Sequence, residues 1–241
     1  MKFRFPLPVW RVWVLAIGWA LTPLAIPAPF EDTLAQRLVA CTACHGPQGR
    51  AAPDGYYPRL AGKPAGYLYN QLLNFRDGQR QYRLMSQMVE PLSEAYLLEI
   101  AEHFAAMEVP YPAPAPVQAT AGQRQRGEQL ALRGDASRQL PACASCHGAA
   151  LTGVLPATPG LLGLPRDYLN AQLGAWRTGL RKAHAPDCMA EVARRLAPED
   201  IAAVSAWLAS QTVPAQAHAV VASAATLPMR CGSAVPPGAR P

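Results

Sequence analysis

The feature that most constrains this chain is a five-residue motif that occurs twice. Cys41-Thr-Ala-Cys44-His45 is repeated as Cys143-Ala-Ser-Cys146-His147, at an offset of 102 residues. So long a period indicates duplicated domains rather than a solenoid of short repeats. With 241 residues, half of them hydrophobic, the chain has enough apolar material for two modest cores rather than one large core.

The similarity between the two halves continues well past the cysteines. At an offset of 101, seven residues recur, namely Pro64, Tyr67, Leu68, Gln71, Leu72, Arg76 and Gly78 as Pro165, Tyr168, Leu169, Gln172, Leu173, Arg177 and Gly179. Further on, Met85 aligns with Met189 at an offset of 104. Between the repeats, alternating prolines in residues 111–122 favour an extended connector. We therefore expect domains at 29–110 and 123–213, with a tail at 214–241.

The fold class predicted from these patterns is all-α, with each domain mainly three helices. No segment shows the strict alternation of a half-buried strand. The first helices are expected near residues 32–39 and 123–133. Two further apolar stripes at helical spacing are expected to pack in the core, one comprising Tyr67, Leu68, Gln71, Leu72 and Phe75, the other Leu97, Leu98, Ile100, Ala101 and Phe104. Ser93 is the expected N-cap of the last of these helices.

The N-terminal residues 1–28 have the layout of an export signal. Lys2, Arg4 and Arg11 precede or begin an apolar run that contains no acidic residue. Pro23 and Pro27 interrupt this run, so it is marginal as a membrane-spanning helix, although retention as an N-terminal anchor is the alternative. Either outcome places the rest of the chain outside the cytoplasm, and a periplasmic location is expected.

The formal net charge of +6 overstates how basic the functional part of the chain is. Three of the 22 basic residues lie in the signal, which leaves 19 against 16 acidic residues. Nothing in this balance favours nucleic acid as a partner. Residues 31–115 carry seven basic and nine acidic residues, whereas residues 116–241 carry twelve and seven. The two halves are therefore expected to present different faces to different partners.

The repeated motif has the spacing for covalent attachment of haem. Two thiols can bond the vinyl-derived carbons of one haem while the adjacent histidine ligates its iron. A zinc site or a dithiol redox pair would use similar residues. Two copies that both end in histidine, in exported helical repeats that each contain a later methionine, favour two covalently bound haem c groups.

Methionine is the expected second axial ligand of each iron. Met85 competes with Met88 in the first half, but Met85 aligns with Met189 and lies in an expected loop, whereas Val192 stands at the position of Met88. His103 and His184 are rival ligands without an equivalent in the other half. Histidine and methionine ligation together would give a high reduction potential.

Two arginines and two cysteines outside the motifs remain to be assigned. Arg76 and Arg177 either neutralise haem propionates or are simply solvated. In an oxidising compartment, Cys188 and Cys231 are expected to form a disulfide that tethers the tail to the loop presenting Met189. The alternative is that Cys188 itself ligates iron, which would lower the potential.

With these residues in place, the chain resembles the cytochrome c4 family of two-haem class I cytochromes c. Over residues 31–212 it has that family's order of haem motif, Leu-Ala-Gly loop, middle helix, methionine and final helix. The resemblance implies that Cys41, Cys44, His45 and Met85 bind one haem and that Cys143, Cys146, His147 and Met189 bind the other. Cys188, Cys231 and the long tail depart from the family pattern.

The resemblance implies an electron carrier rather than an enzyme. Its redox partners would be a quinol-oxidising complex or dehydrogenase on one side and a terminal oxidase on the other. A second hypothesis is the cytochrome subunit of a periplasmic dehydrogenase for sulfide, an alcohol or a similar substrate. A third is a haem enzyme, such as a peroxidase or a thiosulfate dehydrogenase, for which Cys188 is the only support.

Overall fold

The computed structural model describes residues 32–52, 55–222 and 227–234. The chain divides into two compact units, residues 1–37 and 38–241. In the described part of the first unit lies one short helix, α1 (Leu34–Arg37). The expected export signal, residues 1–28, lies outside the described residues, and the described residues contain no helix long and apolar enough to cross a membrane.

The second unit is helical in both of its repeats, which we call the first half (residues 38–110) and the second half (residues 123–213). The helices of the first half are α2 (Val39–His45), α3 (Ala65–Arg76), α4 (Arg83–Val89) and α5 (Glu94–Ala105). Those of the second half, with α6 beginning just before it, are α6 (Ala121–Leu132), α7 (Ala144–His147), α8 (Arg166–Arg177), α9 (Cys188–Arg195) and α10 (Pro198–Ser210). Single 3₁₀ turns occupy Pro47–Gly49 and Ala136–Arg138.

Irregular loops connect these helices, with one short exception. A two-residue antiparallel pair, β1 (Gly153–Val154) and β2 (Thr158–Pro159), aligns Gly153 with Pro159. The tail extends this ribbon, because the backbone amide of Val220 donates to Gly153 and its carbonyl accepts from Leu155. The predicted all-α class is therefore confirmed, with a small ribbon that the sequence pattern did not predict.

The apolar stripe predicted for the last helix of the first half is largely confirmed. Leu97, Ile100 and Phe104 of α5 are buried and pack toward α3. The hydroxyl of Ser93 accepts from the amide of Tyr96 at 3.3 Å, so Ser93 is the N-cap as expected.

The predicted stripe of α3 is only partly correct. Leu68 and Phe75 are buried in the first half, but Tyr67 and Gln71 are not fully buried. Gln71 instead accepts hydrogen bonds from Arg80 and Arg181 at the contact between the two halves, which is described below. The physical reason is that α3 packs on two sides, against its own half and against the other half. A prediction based on one apolar face of the helix cannot include the second contact.

The predicted extents of the first helices also need correction. The segment near 32–39 is not one helix, because α1 ends at Arg37 and α2 begins at Val39. Helix α2 continues through the first cysteine motif to His45. In the second half, α6 begins at Ala121 because Thr120 and Gln123 form a reciprocal capping box.

The core of the second half is closed by a tight crossing of α6 and α10. A side chain at Gly127 would place its Cβ 2.3 Å from the Ala203 carbonyl oxygen and 2.6 Å from the Trp207 Cβ. The absence of a side chain at Gly127 is therefore what lets the two helices approach this closely.

The Gly127→Ala variant should consequently be destabilised by about 1–3 kcal/mol, the usual cost of overpacking. Gly122→Ala is the matched control, because Gly122 lies in the same helix with no atom within 4 Å of the added Cβ. Its free energy of unfolding should be unchanged or slightly raised. Denaturant unfolding of the haem-loaded protein, followed by circular dichroism, measures both; equal stability of the two variants would contradict this account.

Candidate functional site

The first candidate ligand, His45, is fixed by a hydrogen bond to the backbone. Helix α2 carries Cys41, Cys44 and His45, and His45 is buried. Its Nδ1 lies 2.8 Å from the carbonyl oxygen of Pro58. Because a carbonyl can only accept, Nδ1 must carry the proton, which leaves the lone pair on Nε2 available for a metal.

His147 has the same arrangement in the second half. It is buried, and its Nδ1 lies 2.7 Å from the carbonyl oxygen of Pro159. Burial is the main cause that holds the pKa of both histidines below the usual value. Both rings are therefore neutral, which is the form that ligates iron.

The two prolines that hold these histidines were not predicted from the sequence. A signal for them existed, since Pro58 and Pro159 recur at the offset of 101 that relates the middle helices. What could not be seen was that the backbone carbonyl, rather than a side chain, makes the contact.

None of the four motif cysteines is part of a disulfide. Burial raises the pKa of Cys41 and raises that of Cys143 to about 11. A dithiol redox pair requires the opposite shift, toward a stable thiolate. Within residues 32–52, 55–222 and 227–234, no group of three or more His, Cys, Asp or Glu side chains could hold a metal ion. The raised pKa values of these thiols therefore disfavour the dithiol alternative.

The two candidate methionine ligands occupy equivalent short helices. The expectation that Met85 lies in a loop is wrong, because it is in α4, and Met189 is in the first turn of α9. Helix α9 begins at this point because the Asp187 carboxylate accepts from the amide of Ala190 at 3.0 Å. Both methionines are partly buried, whereas the rival Met88 is 45% exposed.

The rival ligand His103 lies in α5. Its ring packs edge-on against Phe104, with the ring centroids 5.3 Å apart. This contact gives His103 the surroundings of a packing residue.

A second feature that the sequence analysis missed is a pair of arginines at the contact between the halves. Arg80 donates to Tyr168 and Gln172, each at 3.0 Å. Arg181 donates to Gln172 at 2.6 Å and to Gln71 at 2.7 Å. These residues obey the same 101-residue offset, so the contact has approximate twofold symmetry.

The charges of these two guanidinium groups are not neutralised by a carboxylate in the described part of the chain. Arg181 is 3% exposed, and burial together with the neighbouring Arg80 lowers its pKa to about 10. A buried cation beside a second, partly buried one favours an anionic group next to them. Haem propionates have that charge, so this pair fits the propionate role better than Arg76 and Arg177 do.

Arg76 and Arg177, the arginines named from sequence, have other surroundings. Arg76 is already paired with the carboxylates of Asp77 and Glu94, each at 3.0 Å. Arg177 is exposed at the end of α8.

The expected disulfide is present between Cys188 and Cys231, which is incompatible with Cys188 acting as a thiolate ligand in this state. The tail around it is held by two more contacts. The amide of Gly232 donates to the carbonyl of Pro186 at 3.0 Å, and Asn70 of α3 donates to the carbonyl of Ser233 at 3.1 Å. The tail thus fastens the segment that precedes Met189 to the first half.

These residues fit two haem c groups. The thiols would hold the porphyrin edge, His45 and His147 would each supply one axial nitrogen, Met85 and Met189 would supply the sulfur, and Arg80 and Arg181 would face the propionates. The chemistry that the group supplies is reversible one-electron transfer at iron. The protein residues fix the imidazole tautomer, exclude water and balance the charge.

Helical halves with a backbone-anchored histidine beside paired thiols define a c-type cytochrome. Residues 125–212 match the family model for cytochrome c. The chain is 40% identical to the thiosulfate dehydrogenase electron acceptor of Thiomonas intermedia, an alignment that covers 81% of this chain and 87% of the relative.

Two solved structures support the same assignment. Reduced recombinant cytochrome c4 from Pseudomonas stutzeri has a TM-score of 0.62 and 30% identity, covering 73% of this chain and 95% of that one. Thiosulfate dehydrogenase (TsdBA) from Marichromatium purpuratum has a TM-score of 0.64 and 35% identity, covering 71% of this chain but 36% of that one. The chain belongs to the cytochrome c4 family of class I cytochromes c.

The methionine assignment predicts a specific pattern of near-infrared absorption from the sulfur-to-iron transition. Met85→Ala and Met189→Ala should each remove about half of the band of the oxidised protein, because each removes one of two proposed sulfur ligands. Met88→Ala is the matched control in the same helix and should leave the band unchanged. Loss of half of the band in Met88→Ala, with none in Met85→Ala, would reverse the assignment.

The disulfide predicts a difference in how firmly Met189, as a proposed ligand, would hold iron. The double variant Cys188→Ser/Cys231→Ser lacks the cross-link. Its free energy of unfolding should be lower by about 2–4 kcal/mol, the typical contribution of a disulfide. We expect cyanide to displace the methionine of the second haem faster than in the wild type, while the first haem is unaffected. Stopped-flow spectroscopy measures both rates, and equal acceleration at both haems would contradict a local role for the disulfide.

Proposed function

We propose that this chain is an exported two-haem electron carrier that accepts electrons from a dehydrogenase of the thiosulfate-oxidising class. The observation that carries the electron-transfer part is the pair of neutral histidines, one per half, each with Nδ1 on a proline carbonyl. Such an arrangement presents one nitrogen to each of two irons and leaves both protons in place when the irons change oxidation state.

The choice of electron donor is supported by the relatives. The Thiomonas intermedia relative is named as a thiosulfate dehydrogenase electron acceptor, at the identity given above. The solved thiosulfate dehydrogenase chain is much longer than the part this chain resembles. A relation of this kind favours the dehydrogenase-subunit hypothesis over a carrier that serves only a quinol-oxidising complex.

The electron count is also consistent with this role. Joining two thiosulfate ions through a new sulfur–sulfur bond releases two electrons, and two ferric haems each take one. No bond to the carrier forms or breaks, so nothing in the chain needs to bind thiosulfate. The haem-enzyme hypothesis has lost its main support, because Cys188 is in a disulfide. A terminal oxidase is the proposed onward acceptor.

Anaerobic mixing tests this proposal. The oxidised chain should stay oxidised with thiosulfate alone, and should take up two electrons per chain when a purified thiosulfate dehydrogenase is added. Cys143→Ala/Cys146→Ala, which lacks the second attachment site, is the control and should take up one. Rapid reduction by thiosulfate alone would indicate direct catalysis, and no reduction in the presence of the active dehydrogenase would exclude it as the donor.

A further inference from the structure

A buried lysine of the first half contacts the backbone beside the residue that holds His147 in the second half. Lys63, in the loop before α3, is 4% exposed. Its Nζ donates to the carbonyl oxygen of Gly160 at 3.0 Å. Gly160 directly follows Pro159, whose carbonyl accepts the proton of His147. The Lys63 ammonium group and the His147 ring therefore donate hydrogen bonds to adjacent carbonyl oxygens of one backbone segment.

That backbone segment is rigidly placed. Pro159 is in the short strand β2, which pairs with β1. At Gly160 a side chain would meet the carbonyl oxygen of Thr152 at 2.5 Å, so the chain is packed closely there. The contact of Lys63 with this segment is consequently a fixed part of the fold rather than an excursion of a long surface side chain.

The contact has no counterpart on the other side of the molecule. The repeat places Leu164 at the position of Lys63, and Leu164 packs against the apolar core of its own half. Gly160 corresponds to Arg59, whose guanidinium lies over the Tyr111 ring at 3.9 Å and donates to backbone carbonyls of its own half. At this repeat position, therefore, a lysine of the first half contacts the second half, and the second half has no lysine that could make the reverse contact.

Burial of the charged Lys63 side chain costs free energy of folding. Among the residues that the structure describes, Lys63 forms no ion pair. Burial, with Arg59 as the lesser cause, lowers the pKa of Lys63 to about 8, which leaves the amine mostly charged at neutral pH. An uncompensated buried charge destabilises a fold, so apolar packing alone does not account for a lysine here. The same charge acts on His147, whose protonation it disfavours.

We propose that Lys63 is a positioning residue for the second haem, and that its ammonium group raises the reduction potential of that haem alone. A nearby positive charge stabilises ferrous iron over ferric iron, because the ferric state carries one more positive charge. By opposing negative charge on the His147 ring, the ammonium also weakens electron donation to iron, which shifts the potential in the same direction. The step is a one-electron transfer in which no bond or proton moves.

The size of the effect follows from electrostatics. A unit charge about 12 Å from a charge change, at an effective dielectric constant of about 20, alters the equilibrium constant about tenfold. For a one-electron couple, a tenfold change is about 59 mV. The first haem should be unaffected, since the Lys63 ammonium group points away from its own loop to the segment that holds His147, and its charge acts on His147 whereas Arg80 is the charge that acts on His45.

Spectroelectrochemical titration of the two-haem protein tests this proposal. Paramagnetic NMR assigns the two potentials, because the ligand methyl signals of Met85 and Met189 are each lost in the corresponding alanine variant. Lys63→Gln keeps a hydrogen-bond donor without the charge, and it should lower the second potential by about 59 mV. Lys63→Arg keeps the charge and should restore most of the shift.

The control variant and the other outcomes are equally specific. Lys182→Gln removes a charge from an exposed lysine and should leave both potentials unchanged. An unchanged second potential in Lys63→Gln, or equal shifts at both haems, would overturn the proposal. A shift that appears in Lys63→Met but not in Lys63→Gln would assign the effect to the hydrogen bond and would also overturn it. The proposal rests on haem binding by both halves but not on the electron donor, so failure of the thiosulfate dehydrogenase assay leaves this measurement valid.

Discussion

The hydrogen bond from each histidine Nδ1 to a proline carbonyl is the interaction on which the site depends. It connects the end of a helix to a segment more than ten residues further along the chain, from α2 to a loop in the first half and from α7 to β2 in the second half. Without it, the imidazole could rotate or change tautomer, and the second nitrogen would not be held in one direction. The bond therefore links the cysteine motif to the packing of the whole half, because the loop can supply its carbonyl only when the surrounding core is formed.

The contact between the halves combines a symmetric part and an asymmetric part. Arg80 and Arg181, with their glutamine partners, obey the repeat, so each half supplies the same groups to the other. Lys63 does not obey it, because the second half has Leu164 at that position. Duplication explains why the molecule has two similar centres, whereas departures from the repeat are where the two centres can acquire different electron affinities.

The cysteine and histidine groups of the candidate site could be proposed from the sequence, because covalent attachment of haem demands a fixed local spacing. The all-α class and the N-cap at Ser93 were predicted from helical periodicity and capping chemistry, which are also local properties of the sequence. What the sequence did not predict were contacts between distant segments, such as Pro58 with His45 or Lys63 with Gly160. Backbone carbonyls have no residue-specific pattern, and a lysine in a loop has the same letter whether it is solvated or buried.

The disulfide at the end of the chain has a consequence for how the protein is made. Cys231 follows Cys188 by 43 residues and lies in the tail beyond the last helix. In the proposed export the chain would emerge progressively, so the motif cysteines Cys41, Cys44, Cys143 and Cys146 would all reach the oxidising compartment before Cys231. Cys231, the partner that removes Cys188 from the pool of reactive thiols, would therefore arrive after all four motif cysteines. Maturation would then have to keep Cys188 and the motif thiols from pairing with one another until Cys231 is delivered.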